Sequence, residues 1–180
     1  MPKYVAFLRA INVGGHTVKM DYLRGLFAAL GFTNVETFIA SGNVVFQTKS
    51  KDASALERKI EDKLKASLGY DVATFIRTEA ELAAVANCEA FPPTAVAAAS
   101  AFNVGFLEGR VDDERRQKLL SLCTEIDQFH VRERELLWLS KTKVSESKLN
   151  YKTFEKTLGM KATFRGLNTV KRMTAKYPPR

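Results

Sequence analysis

The chain opens with KYVAFLRAI, where apolar residues fill both alternating sets of positions. Val5, Phe7 and Ile11 fall on one set; Tyr4, Ala6, Leu8 and Ala10 fall on the other. A strand apolar on both faces is buried on both faces. The pattern predicts such a strand over Lys3–Ile11, with Arg9 sharing the Val5, Phe7 and Ile11 face. The period then lengthens. Leu23, Leu26, Phe27 and Leu30 form one helical stripe over 20–30, opened by Asp21 and stopped by Gly31. Val35–Ala40 and Val44–Thr48 predict two strands around Ser41-Gly42-Asn43, a hairpin signal. Ser54-x-x-Glu57 has capping-box spacing, with an earlier helix start left open, and the helix buries Leu56, Ile60 and Leu64 and ends at Gly69. Val72–Arg77 predicts a fourth strand, and Thr78-x-x-Glu81 caps the next helix.

That order is β-α-β-β-α-β, the split βαβ of ferredoxin-like folds. Residues 87–101, with Pro92-Pro93 and an alanine-rich run, interrupt it. The order then recurs: a strand over Phe102–Leu107, then a helix capped by Asp112 with Leu119, Leu122, Cys123 and Ile126 on one face. A hairpin of Phe129–Arg132 and Leu136–Ser140 follows, then a helix over 146–158, a short strand over Ala162–Arg165 and a last helix from about Thr169. The fold class expected is α+β, with two βαββαβ-like (ferredoxin-like) halves packed together. An N-terminal ferredoxin-like half spans 1–90, a Pro/Ala-rich linker 91–101, and a C-terminal α+β half with basic helices 102–180. The halves share an order of elements rather than residues. The doubly apolar first strand is expected to lie with one face against the second half, since a lone two-layer domain leaves that face wet.

Composition narrows the class. Hydrophobic content of 46% and charge of 27% suit a globular core. No apolar run approaches the ~20 residues of a membrane span. The short N-terminal apolar run lacks a small-residue cleavage site, so no signal peptide is expected. Cys88 and Cys123, both in helical patterns, are too few for a disulfide framework or a four-ligand metal site. A cytoplasmic protein without metal or cofactor is expected. Charge changes the picture more. Lys141–Arg180 holds eleven Lys and Arg against Glu146 and Glu155, a net +9 in a chain of net +8, so the first 140 residues carry −1. Basicity confined to one end favours an anionic partner.

The candidate chemistry lies in polar turns. Strands one and two run the same way in a split βαβ, which brings Arg9, Asn12, Gly14, Gly15 and His16 to the same sheet end as Ser41, Gly42 and Asn43. Glycines let backbone N–H groups face a ligand, and Lys19 adds charge near a helix N-terminus. The same glycines also serve as tight turns, and Arg9 also suits a structural ion pair; both alternatives stay open. No G-x-x-x-x-G-K-[ST] is present, so this is not a P-loop. Lys148, Lys152 and Lys156, at i, i+4 and i+8, line one face of the expected helix, a surface suited to a phosphate backbone or to plain solvation. His16 and His130 accompany no nucleophile motif or metal-ligand spacing.

YVAFLRAINVGG, VKMDYLRGLFAALGF and TFIASGNVVF resemble the opening of domain-of-unknown-function family 1697, and SKLN with LGMKATFRGLNTV resembles its C-terminal pattern. The resemblance covers roughly 3–175 and implies a two-part α+β fold of ferredoxin-like character without an established activity. Its polar pattern corresponds to Arg9, Asn12, Gly14, Gly15, Ser41, Gly42, Asn43, Ser147 and Lys148. The chain departs from it at Lys143-Val144-Ser145-Glu146, where a G-x-G is usual, and at Gly166-Leu167, where Asn-Trp is usual. The leading expectation is a binding protein for a phosphate-bearing or other anionic ligand, nucleic acid included, with no membrane partner. Two readings stand beside it: a small-molecule enzyme using Arg9, Asn12, Ser41 and Asn43, and a protein-interaction module or homodimer.

Overall fold

The computed structural model describes residues 1–179. The chain forms two compact α+β units, Met1–Ala83 with Tyr177–Arg180, and Ala84–Lys176.

The first unit runs β1 (Lys3–Leu8), α1 (Met20–Ala29), β2 (Thr33–Thr37), β3 (Asn43–Gln47), α2 (Ala53–Leu68) and β4 (Thr74–Thr78), with the start of α3 (Glu79–Ala86) behind. Its sheet order is β2-β3-β1-β4, every neighbouring pair antiparallel. β1 and β2 are therefore parallel in direction, as a split βαβ requires. Tyr4, Ala6, Leu8, Val44, Phe46 and Ile76 meet Leu23, Leu26 and Phe27 of α1 and Leu56, Ile60 and Leu64 of α2 in one cluster. Val5 and Phe7, on the opposite face of β1, are also fully buried.

The strand stops three residues earlier than its pattern suggests. Ala10 takes φ +56°, which breaks the alternation. Ile11 consequently joins the Tyr4, Ala6 and Leu8 cluster rather than the Val5 and Phe7 face. Arg9 lies past the strand end, half-buried, instead of on an apolar strand face. At Ser54-x-x-Glu57 the earlier helix start holds and the capping box does not form. Asp52 caps α2 by accepting from Ala55 N (2.9 Å). Glu57 and Glu61 turn instead to the sheet edge, accepting from Ile76 N and Thr74 N, each at 2.8 Å. Edge-strand donors are thus covered by carboxylates from the adjacent helix. The Thr78 and Glu81 capping box forms as read: Glu81 Oε2 accepts from Thr78 N (2.8 Å) and Thr78 Oγ1 from Glu81 N (3.2 Å).

The second unit holds the short helix α4 (Pro93–Ala98), then β5 (Ala101–Leu107), α5 (Asp113–Leu120), β6 (Asp127–Arg132), β7 (Glu135–Ser140), α6 (Tyr151–Leu158), β8 (Ala162–Gly166) and α7 (Leu167–Lys176). Its order, β6-β7-β5-β8, repeats that of the first sheet, again antiparallel throughout. Leu107, Leu119, Phe129, Val131, Leu136, Trp138, Phe154 and Leu158 form its core. The edge device recurs too: Glu155 of α6 accepts from Ala162 N of β8 (3.1 Å). The residues read as a linker, 91–101, hold α4 and the first residue of β5.

Two helices are shorter than their patterns. Asp112 caps α5 by accepting from Arg115 N (2.8 Å), but the helix ends at Leu120, leaving Cys123 and Ile126 exposed. Neither cysteine is helical; Cys88 follows α3 half-buried. The helix expected over 146–158 begins only at Tyr151, because Asn150 is extended (φ −137°, ψ 169°) and its Oδ1 accepts from Thr153 N (3.0 Å). A short 3-10 turn, Val144–Glu146, precedes it, and Ser147 is extended.

Candidate functional site

In the first unit the sheet end after β1 gathers the expected residues. Leu8 N donates to Gly42 O (2.8 Å), tying β1 to the β2–β3 turn. Asn12 bridges the two loops: its Nδ2 donates to Ala40 O (3.3 Å) and its Oδ1 accepts from Val18 N (2.7 Å). Asn43, fully buried, donates through Nδ2 to Phe38 O (3.0 Å) and Ser41 Oγ (2.8 Å). Its own carbonyl accepts from Phe38 N (2.9 Å). Both asparagine side chains therefore hold the turns in shape.

The backbone here is unusual. Ala10, Gly14, Gly15, Ile39 and Gly42 all have φ between 51° and 84°. At Gly42 (φ +76°) a Cβ would lie 2.8 Å from Ile11 Cγ2 and 3.2 Å from Leu8 Cβ, so glycine is required twice over. Gly14 and Gly15 differ: at φ +66° and +84°, a Cβ on either would meet nothing within 4 Å. Both are exposed, and among the described residues their N–H groups have no acceptor.

Around this open loop stand half-buried Arg9 and exposed His16, Ser41 and Lys19. Lys19 occupies the capping position of α1, where no side chain caps the helix. Arg9 N donates to Ala73 O (2.9 Å). His16 stacks on Tyr70, ring centroids 3.8 Å apart, and Tyr70 Oη donates to Ile11 O (3.0 Å). Burial raises the Tyr70 phenol above its ordinary pKa. Tyr70 thus buttresses the loop from below, a role nothing in its sequence context signals.

Ser147 and Lys148 lie in the second unit. They help line a cavity of about 450 Å³ with Thr124, Ile126, Asp127 and Leu149. Ser147 Oγ accepts from Leu149 N (3.1 Å). Lys148 does not share a helix face with Lys152 and Lys156, since it precedes the Asn150 cap; only the latter two lie on α6. All three are exposed. Two buried groups at this end were not singled out from sequence: Asp127 and Trp138, joined by Trp138 Nε1 donating to Asp127 Oδ1 (2.8 Å). His130 is half-buried on β6, and burial, with Arg116 and Arg132 nearby, lowers its pKa. Among the described residues, no three His, Cys, Asp or Glu side chains group to hold a metal ion. No described helix is long and apolar enough to cross a membrane.

A family model described as "Protein of unknown function (DUF1697)" matches residues 1–137, about three-quarters of the chain. The chain belongs to the DUF1697 family. The match takes in every first-unit residue above and ends before Ser147 and Lys148. No curated protein matches the chain. Among solved structures, "conserved bacterial protein SP0830 from Streptococcus pneumoniae" is similar, with a TM-score of 0.75 at 22% identity. That likeness covers 97% of this chain and 99% of the other. It shows a shared fold for this DUF1697 chain.

Proposed function

We propose that this DUF1697 protein is a cytoplasmic binding protein for a phosphate-bearing or other small anionic ligand, held by the loop after β1. The observation that carries the reading is the pair of adjacent glycine amides, Gly14 and Gly15. Both sit at positive φ, open to solvent and without acceptors among the described residues. Successive N–H groups in such a turn form an anion-binding concavity. Lys19 and the uncapped start of α1 place further positive potential beside it. An enzyme built on Arg9, Asn12, Ser41 and Asn43 draws less support, because the Asn12 and Asn43 amides are committed to the turns.

Titrating the ¹⁵N-labelled protein with inorganic phosphate, then pyrophosphate, tests this. The Gly14 and Gly15 amides should move together, saturably, below ~10 mM ligand, within the range of a ~1 mM Kd or tighter. Added salt should weaken the effect. Glycine amides that stay still while resonances elsewhere respond would overturn the assignment.

A second reading, a polyanion surface on the second unit, has its own support. All eight lysines between Lys141 and Lys176 are exposed. Nucleic-acid backbones are bound through surfaces of that composition.

A further inference from the structure

The second-unit cavity carries an electrostatic character opposite to that of the chain around it. It lies between the residues leading into β6, Thr124–Asp127, and the segment after β7, where Thr142 and Glu146–Leu149 contribute. Of the charged residues lining it, Glu125, Asp127 and Glu146 are acidic and Lys148 alone is basic. The cavity lining therefore has a net charge of −2 in a chain of net +8, with Glu125 and Asp127 coming from ahead of the basic Lys141–Arg180 segment.

Asp127 is the group that gives this meaning. It is 5% exposed. Its backbone is fixed on both sides: Asp127 N donates to Thr124 Oγ1 (3.0 Å), and Asp127 O accepts from Thr124 N (2.8 Å). Oδ1 accepts from the buried Trp138 indole (2.8 Å). Oδ2 has no donor among the described residues. That oxygen is not fully enclosed, so it stays open to a donor from outside the fold. Asp127 is among the residues that line the cavity.

We propose that this cavity binds the ammonium or guanidinium group of a small organic cation, with Asp127 as its anchoring carboxylate. A cationic N–H donor supplies the partner that Oδ2 lacks, in a charge-assisted hydrogen bond. Ile126 and Leu149 offer an apolar wall for the carbon skeleton. At about 450 Å³ the space suits a small molecule. The acidic side chains do not converge as a metal-binding group, which favours a cation that spreads its charge over several donors. An anion would face three carboxylates, and a neutral apolar molecule would offer Asp127 Oδ2 no donor. The site is independent of the glycine loop.

The chain has one tryptophan, so its indole N–H gives a single, assigned reporter one hydrogen bond from Asp127. Titration of the full-length ¹⁵N-labelled protein with n-butylammonium should shift that signal saturably. n-Butanol and butyrate at equal concentration should not. Asp127→Asn keeps an acceptor for the indole but removes the charge, and should weaken butylammonium at least ~10-fold, the equivalent of one buried charge-assisted contact. Should that variant fail to fold, Glu125→Gln with Glu146→Gln decides, because both side chains are exposed. The pair should weaken binding a few-fold. An indole that ignores butylammonium, responds equally to butanol, or keeps its affinity in whichever variants fold would overturn the proposal.

Discussion

Replacing Gly42 by alanine isolates what the turn between β2 and β3 demands. The residue sits at φ +76°, buried, with its carbonyl accepting from Leu8 N. A methyl group there incurs two costs. The left-handed backbone disfavours an L side chain by roughly 1–2 kcal/mol. The new Cβ would also approach Ile11 Cγ2 to 2.8 Å and Leu8 O to 3.2 Å, and overpacking of that kind costs about 1–3 kcal/mol. The expected loss is therefore about 2–5 kcal/mol. Gly14→Ala is the matched control, with φ +66° but nothing within 4 Å of its Cβ. It should lose only the backbone part, about 1–2 kcal/mol. Urea denaturation with linear extrapolation reads both values, and an unchanged m confirms that stability alone has moved. The reasoning fails if the two variants agree within ~0.5 kcal/mol, the spread of an ordinary surface substitution. The close approach of Gly42 to Ile11 would then contribute nothing. Gly42→Val should be worse than alanine, because a β-branched side chain adopts positive φ poorly.

Two further outcomes follow from the geometry. Lys152→Gln with Lys156→Gln should flatten the dependence of log affinity on log salt for duplex DNA by up to about 1.8 units, roughly 0.9 per contact, with folding unchanged. A wild-type protein that binds neither duplex nor single-stranded nucleic acid at ~50 mM salt ends the polyanion reading. Thr78→Ala removes one half of the reciprocal bonds with Glu81 at the start of α3. It should cost about 1 kcal/mol in urea denaturation, and a loss indistinguishable from zero would mean that the box contributes nothing net.

Both halves of the architecture were legible because period and order agreed. Strand, helix, hairpin, helix and strand follow each other twice, and the two sheets close in the same order. One of the errors has a clear side-chain cause. Spacing alone extended the helix ahead of α6, past a residue whose side chain bonds its neighbouring backbone. Lys148, Lys152 and Lys156 fit a helical period, yet Asn150 stands among them and spends its Oδ1 on Thr153 N and Thr153 Oγ1. Asparagine competes with helix propagation by this route and favours the cap. At α2 the cap is Asp52, two residues ahead of Ser54, and Glu57 accepts from the sheet edge. At β1 the departure was in the backbone, where Ala10 turns left-handed without a glycine to announce it.

The two sites differ in how far sequence could reach them. The glycine loop was accessible because parallel β1 and β2 must bring their following turns to one end of the sheet, whatever the side chains are. The cavity depends on register. Asp127 pairs opposite Ser140, which sets Trp138 one diagonal step away, and only that offset lets the indole meet the carboxylate. A cue did exist. β6 alternates buried and half-buried positions, and Asp127 falls on the buried set with Phe129 and Val131. A carboxylate in phase with two core residues must find a donor, because leaving it unpaired is too costly. One oxygen finds Trp138 inside the fold; the other is the one that, in our proposal, a cation in the cavity lined by Asp127 meets.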